Sequence, residues 1–223
     1  MGIKLAIIDL DQTLIHSIKR FYKLFNDTLM EFGTKPISWD EFFKSYCMDD
    51  LNKYLPGNIN PRFFWLVFRR KYSQEPIHPE DHLIPGAKEA LKYLKERGVK
   101  VVVVTGREMS KDKLWRELER FNLREYVDDV YSIAHQDPRE EEIDFLRSGL
   151  LRNILKMNNV EPCEAIFVAD YWVDMESCRR VGLHCIAVKT GYESEERLKR
   201  HGAKVVIDSI KDLPRVLEEL QLI

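Results

Sequence analysis

Short unbroken apolar runs alternate with longer amphipathic stretches along most of the chain. "KLAIID" (4–9), "VKVVVVTG" (99–106), "EAIFVAD" (164–170), "HCIAVKT" (184–190) and "AKVVIDS" (203–209) are apolar runs rich in β-branched residues, which predicts short buried strands. The Val run of 101–104 has no polar face, so it predicts burial on both sides, as in a parallel sheet. Between these runs, "GAKEALKYLKERG" (86–98) sets Ala87, Ala90, Leu91 and Leu94 on one helical face and stops at Gly98. "KDKLWRELERFNL" (111–123), "LLRNILKMNNV" (150–160), "VDMESCRRVG" (173–182) and "SEERLKRHG" (194–202) follow the same logic. Strands alternating with helices of this length predict an α/β fold with a doubly wound, Rossmann-like parallel sheet.

Residues 16–84 break the alternation. They hold no convincing strand, and "SIKRFYKLFNDTLMEFG" (17–33), "SWDEFFKSY" (38–46, with Ser38 as N-cap) and "PRFFWLVFRRKY" (61–72) predict aromatic-rich helices. The expected organisation is a core of 1–15 and 85–223 interrupted by a helical insertion of 16–84. The connections near 15–18 and 82–86, the latter with a sharp Pro85-Gly86 turn, are the expected hinges.

Composition narrows the function classes. A chain of 223 residues that is 44% hydrophobic can build a sizeable core. Lys plus Arg is 35 and Asp plus Glu is 37, a net charge of −2, which offers no footprint for nucleic acid or an anionic membrane. No stretch has the length of a membrane span, and Asp9 cuts the first apolar run too early for a signal peptide, so a soluble cytoplasmic protein is expected. Cys47, Cys163, Cys178 and Cys185 form no C-x-x-C pair, which predicts buried reduced thiols rather than a zinc site or a disulfide framework. Nothing in the pattern sets an oligomeric state.

The candidate chemistry lies where apolar runs stop. The first ends in Asp9-Leu10-Asp11-Gln12-Thr13. If the segment stays extended, side chains at alternate positions share a side, which groups Asp9, Asp11 and Thr13. The Val run ends in Thr105-Gly106-Arg107, and "AIFVA" ends in Asp170 with Asp174 four residues on. In open α/β sheets ligands bind beyond the carboxyl ends of the strands, so these residues are expected to converge there. Four converging carboxylates repel unless a cation sits among them, and an all-oxygen donor set favours Mg²⁺. Taken singly, Asp11 could be a turn residue, Thr105 a strand-end hydroxyl and Asp174 a first-turn helix acid.

Together, Asp-x-Asp-x-Thr after the first strand, Thr-Gly after a later one and Asp-x-x-x-Asp after a third resemble the haloacid dehalogenase superfamily. "LIPGAKEALKYLKERGVKVVVVTG" and "VGLHCIAVKTGY" resemble its phosphoglycolate-phosphatase-like members, and 16–84 resembles their helical C1 cap. The resemblance implies a Mg²⁺-dependent phosphatase acting on a small phosphorylated metabolite. Asp9 would be the nucleophile forming an aspartyl-phosphate, and Asp11 the general acid and then base. Thr13, Thr105 and Gly106 would hold the phosphate, and Asp9, Asp11 (by its carbonyl), Asp170 and Asp174 would serve the metal. A phosphomutase of the β-phosphoglucomutase type and a catalytically idle binding protein are the alternatives.

Several positions depart from the family pattern. Gln12 stands where Gly is usual, Ala169 replaces a common Gly, Tyr171-Trp172 follow Asp170, and His16 replaces a frequent acid. The family's Lys before the Asp170 strand is missing from the start of "EEEIDFLRSGLLRNILKMNNV" (140–160). Arg147 is the nearest cation and the candidate phosphate-binding replacement; Lys156 lies about two and a half helical turns further on.

Overall fold

The strands are β1 (Leu5–Asp9), β2 (Ile15–His16), β3 (His82–Leu83), β4 (Lys100–Thr105), β5 (Asp129–Ser132), β6 (Ala165–Ala169), β7 (His184–Val188) and β8 (Val205–Ile207) in a computed structural model of the chain. The structure describes residues 2–74, 77–137, 139 and 146–223. Residues 75 and 76 of the expected insertion, and 140–145 of the stretch searched for a cation, lie outside the described residues.

Among the described residues a six-stranded sheet runs β5-β4-β1-β6-β7-β8, all parallel. Apolar runs form these strands because both faces are covered. Ile7 and Val102 are buried on one face, and Ile8 and Val103 on the other. Leu5, Ile7, Val104 and Phe167 pack in one core with Leu150, Leu151 and Ile154 of α6 (Ser148–Asn158) and Met175 of α7 (Trp172–Val181). The chain order sends β4 and β5 outward on one side of β1, then crosses back to place β6, β7 and β8 on the other. That reversal makes the carboxyl end of β1 the topological switch point.

Two compact units emerge: Met1–His16 with His82–Ile223, and Ser17–Asp81. The second unit contains α1 (Ile18–Glu31), α2 (Trp39–Cys47) and α3 (Pro61–Tyr72). Ser38 starts α2 in a reciprocal capping box with Glu41, and Asn60 caps α3 ahead of Pro61. Its core is aromatic: Phe25 lies 5.9 Å from Phe42 and 5.6 Å from Phe64, ring to ring. Arg20 and Asp81 form a wholly buried ion pair at 3.1 Å. In the first unit, α4 (Ala87–Glu96), α5 (Lys111–Arg120), α8 (Glu195–Arg200) and α9 (Leu213–Glu219) complete the helices.

Four sequence expectations need correction. Residues 16–84 do contribute strand: β2 and β3 pair antiparallel at the chain's exit from and return to the first unit. With two residues each, they carry no periodicity to detect. The edge strand β5 also went unanticipated, because four residues with a leading Asp give little apolar signal. The segment after Asp9 does not stay extended: β1 stops there and Gln12 adopts a left-handed φ of 60°. Finally, Cys178 and Cys185 form a disulfide, with Cα atoms 5.8 Å apart, where reduced thiols were expected. The end of α7 and the start of β7 bring them together; Cys47 is half-buried and Cys163 exposed, where buried thiols were expected. Among the described residues, no helix is long and apolar enough to cross a membrane.

Candidate active site

β1 ends with Asp9 level with Val104, so Asp9 and Thr105 come to the same edge of the sheet, and β6 delivers Asp170 on the other side. Asp9, Asp170 and Asp174 are all buried there. Arg147 joins them. It is the N-cap of α6, and its backbone N–H donates to Ser177 Oγ on α7 at 2.9 Å. Gln136 braces the same segment, donating to the Leu146 carbonyl and accepting from Leu150 N–H. Held so, Arg147 donates through Nη1 to Asp9 Oδ1 at 2.7 Å, and its Nη2 forms an ion pair with Asp174. Lys156, about two and a half turns further along α6, is exposed and not part of this grouping.

The electrostatics follow from one guanidinium facing three buried carboxylates. Burial pushes the Asp9 pKa up to about 7; Asp174 and Asp11 add to the rise, and Arg147 opposes it. Asp170 lies well above the ordinary carboxylate range, through burial first and then the charges of Asp9 and Asp174. Asp174 is raised by burial against the pull of Arg147. For Arg147 burial disfavours the charge, but Asp174 and Asp9 outweigh it and hold its pKa up.

The remaining expected residues lie close by, in two groups. Thr13 donates its hydroxyl to Asp170 Oδ1 at 3.2 Å. Asp11 and Thr105 form a separate group: Thr105 Oγ1 donates to Asp11 Oδ2 at 3.2 Å, and Arg107 Nε donates to the same oxygen at 2.9 Å. Gly106 is exposed beside them. Among the described residues, no three carboxylate, thiol or imidazole groups are arranged as a cage for a metal ion. The reason is visible in the contacts: Asp11 turns its carboxyl to Arg107, and Arg147 stands between Asp9 and Asp174. The donor chemistry nevertheless fits a hard divalent cation. Asp9 and Asp170 are buried oxygen donors, and burial first, then the charges of neighbouring aspartates, raise both pKa values despite Arg147.

A turn after β7, Lys189–Gly191 within "VGLHCIAVKTGY", holds this site from the β7 side. Thr190 donates to the Gln12 carbonyl, and Tyr192, itself at φ 67°, shares a 2.8 Å hydrogen bond with His16 Nε2. His16 ends β2 and stacks on His82. Gly191 touches Asp170 so closely that an added Cβ would lie 2.0 Å from Asp170 Oδ2 and 2.6 Å from its Cβ. Gly191→Ala is therefore expected to displace Asp170, costing about 1–3 kcal/mol of stability and most of the activity; thermal melting and turnover measured on the same preparation check this. Trp172 packs against His201, with ring centres 4.6 Å apart, on the α8 side of the first unit.

Residues 6–188 match the model of the haloacid dehalogenase-like hydrolases. The chain belongs to that family. This hydrolase is 23% identical to phosphoglycolate phosphatase 1 of Pseudomonas aeruginosa over 94% of its own length and 78% of that protein's. A haloacid dehalogenase-like family hydrolase of Streptococcus pneumoniae shares its fold, with a TM-score of 0.76 at 17% identity, covering 96% of this chain and 98% of the other. So does a hydrolase of Pseudomonas syringae, with a TM-score of 0.74 at 20% identity over 97% and 98%.

Proposed function

We propose that this hydrolase is a phosphatase that cleaves a small organic phosphate monoester through an aspartyl-phosphate on Asp9. The observation that carries the reading is the contact of Arg147 with Asp9 at the switch point of the sheet, beside Asp170 and Asp174. The similarity to phosphoglycolate phosphatase 1, over nearly the whole chain, supports it.

In this mechanism a carboxylate oxygen of Asp9 attacks phosphorus as the ester P–O bond breaks, and Asp11 gives its proton to the departing alkoxide. Water then attacks the aspartyl-phosphate while Asp11 accepts its proton, and inorganic phosphate leaves. Arg147 offsets the repulsion between Asp9 and the anionic substrate and holds Asp9 in place. Thr105, the Gly106 N–H and Thr13 bind phosphoryl oxygens, and Ser17–Asp81 is the helical cap unit of the enzyme. Asp9, Asp170, the Asp11 carbonyl and Asp174 would hold Mg²⁺, which when bound supplies the positive charge that keeps Asp9 ionised and draws charge from the phosphoryl group.

Inorganic phosphate release is the test, across phosphoglycolate, sugar phosphates, nucleotides and p-nitrophenyl phosphate. The expected result is turnover of at least one monoester with Mg²⁺, loss in excess chelator and recovery on adding the metal back. Isomerised sugar phosphate without free phosphate would favour a mutase, and full activity in chelator would contradict the metal assignment.

A further inference from the structure

Asp11 does not act alone. The Arg107 guanidinium is buried and gripped at both ends. Its Nη1 and Nη2 donate to the two carboxylate oxygens of Glu117 on α5, each at 3.0 Å, and its Nε donates to Asp11 Oδ2 at 2.9 Å. Thr105 adds a second donor to Asp11 Oδ2 and accepts from the Arg107 backbone N–H at 3.2 Å. A bidentate Arg–carboxylate pair fixes the plane of the guanidinium. Once Glu117 has set that plane, Nε can point in only one direction, and the Asp11 carboxyl lies there.

We propose that Arg107, anchored by Glu117, is a positioning residue that sets the orientation of the Asp11 carboxyl for proton transfer to the leaving group. The inference rests on the reading of Asp11 as general acid. Arg107 Nε holds Oδ2 even when the single Thr105 O–H turns from Asp11 to a phosphoryl oxygen. When the ester P–O bond breaks and the Asp9–phosphorus bond forms, the Asp11 proton must reach the departing oxygen along a short, aligned path. Arg107 and Glu117 do not touch the substrate. A buried ion pair of this kind adds little net stability compared with apolar side chains of similar volume. Its place next to the proton donor gives it a role in geometry instead.

Leaving-group dependence separates this role from a merely structural one. p-Nitrophenolate departs without a proton, whereas an alkoxide needs one. The measurement is kcat/KM, with Mg²⁺, for p-nitrophenyl phosphate and for the best alkyl phosphate of the phosphate-release panel. It is made on the wild type, Asp11→Asn, Glu117→Gln and the double variant Arg107→Gln/Glu117→Gln, which removes the buried Arg107 and Glu117 charges together. The double variant is expected to lose about ten- to a hundredfold on the alkyl ester and less than about threefold on p-nitrophenyl phosphate. Glu117→Gln, which keeps Arg107 in place but loosens its grip, is expected to show the same selectivity at smaller size. It decides the matter if circular dichroism shows the double variant unfolded. Equal losses on both esters, or none, in the Glu117 and double variants while Asp11→Asn remains selective would overturn the positioning role alone. If Asp11→Asn is itself unselective, the general-acid reading falls and the inference falls with it.

Discussion

Asp9→Asn is expected to abolish turnover, by on the order of 10⁴-fold or more, while leaving the protein at least as stable as the wild type. The amide cannot form the covalent intermediate, but it is nearly the same size and its oxygen can still accept from Arg147. The stability half of the expectation follows from the raised pKa. In the unfolded chain Asp9 titrates near 3.8, and in the metal-free folded protein near 7. Between those values the folded state binds the extra proton, so stability falls as pH rises from about 4 to about 7. At pH 8 the wild type carries the full cost of an ionised, buried Asp9, on the order of a few kcal/mol. Asp9→Asn removes that cost. Melting curves in chelator at pH 5 and pH 8 should show the variant gaining on the wild type at the higher pH. A variant that melts below the wild type at pH 8 would contradict the electrostatic picture, and retained turnover would contradict the mechanism.

Arg147→Ala is expected to have the second largest effect. It leaves Asp9, Asp170 and Asp174 buried with no guanidinium among them, so the cost of breaking the pair should be about 3–5 kcal/mol at pH 8. At pH 5 more of the carboxylates are protonated and the cost should shrink, the sign being set by the raised pKa values of all three. Turnover should drop by about 10²–10³-fold, as for loss of a positioned charge in a reacting site. Arg147→Lys keeps the charge but not the fork, and one ammonium has a poor chance of serving Asp9 and Asp174 together. It should fall between wild type and Ala in both turnover and melting temperature. Unchanged turnover in Arg147→Ala would remove this residue from the chemistry.

The arrangement of this site was legible in the chain to the extent that it depends on strand ends. The Val run before Thr105 and the apolar run before Asp170 mark β4 and β6 because burial on both faces demands unbroken apolar sequence. Arg147 could be singled out by its place just before an amphipathic run, now α6. What stayed hidden depends on contacts between distant residues. Arg107 stood in plain view after Thr-Gly, but its partner Glu117 lies ten residues on, across a loop and within a helix, and no spacing rule joins them. The close approach of Gly191 to Asp170 spans more than twenty residues and leaves no trace in either local pattern. The Cys178–Cys185 bond was missed because its spacing follows from how α7 turns back into β7, not from a ligand motif. Gln12 was visible as a departure, but its left-handed backbone, which ends the extended segment after Asp9, was not.

Phosphoryl transfer to Asp9 is open to direct capture. The most direct measurement is acid quench of the enzyme during steady-state hydrolysis of its best monoester with Mg²⁺, followed by peptide mass analysis. The expected result is a single phosphoryl adduct on the peptide bearing Asp9, labile to hydroxylamine and absent from Asp9→Asn. Turnover with no adduct on that peptide under any quench time, or an adduct that persists in Asp9→Asn, would contradict the account.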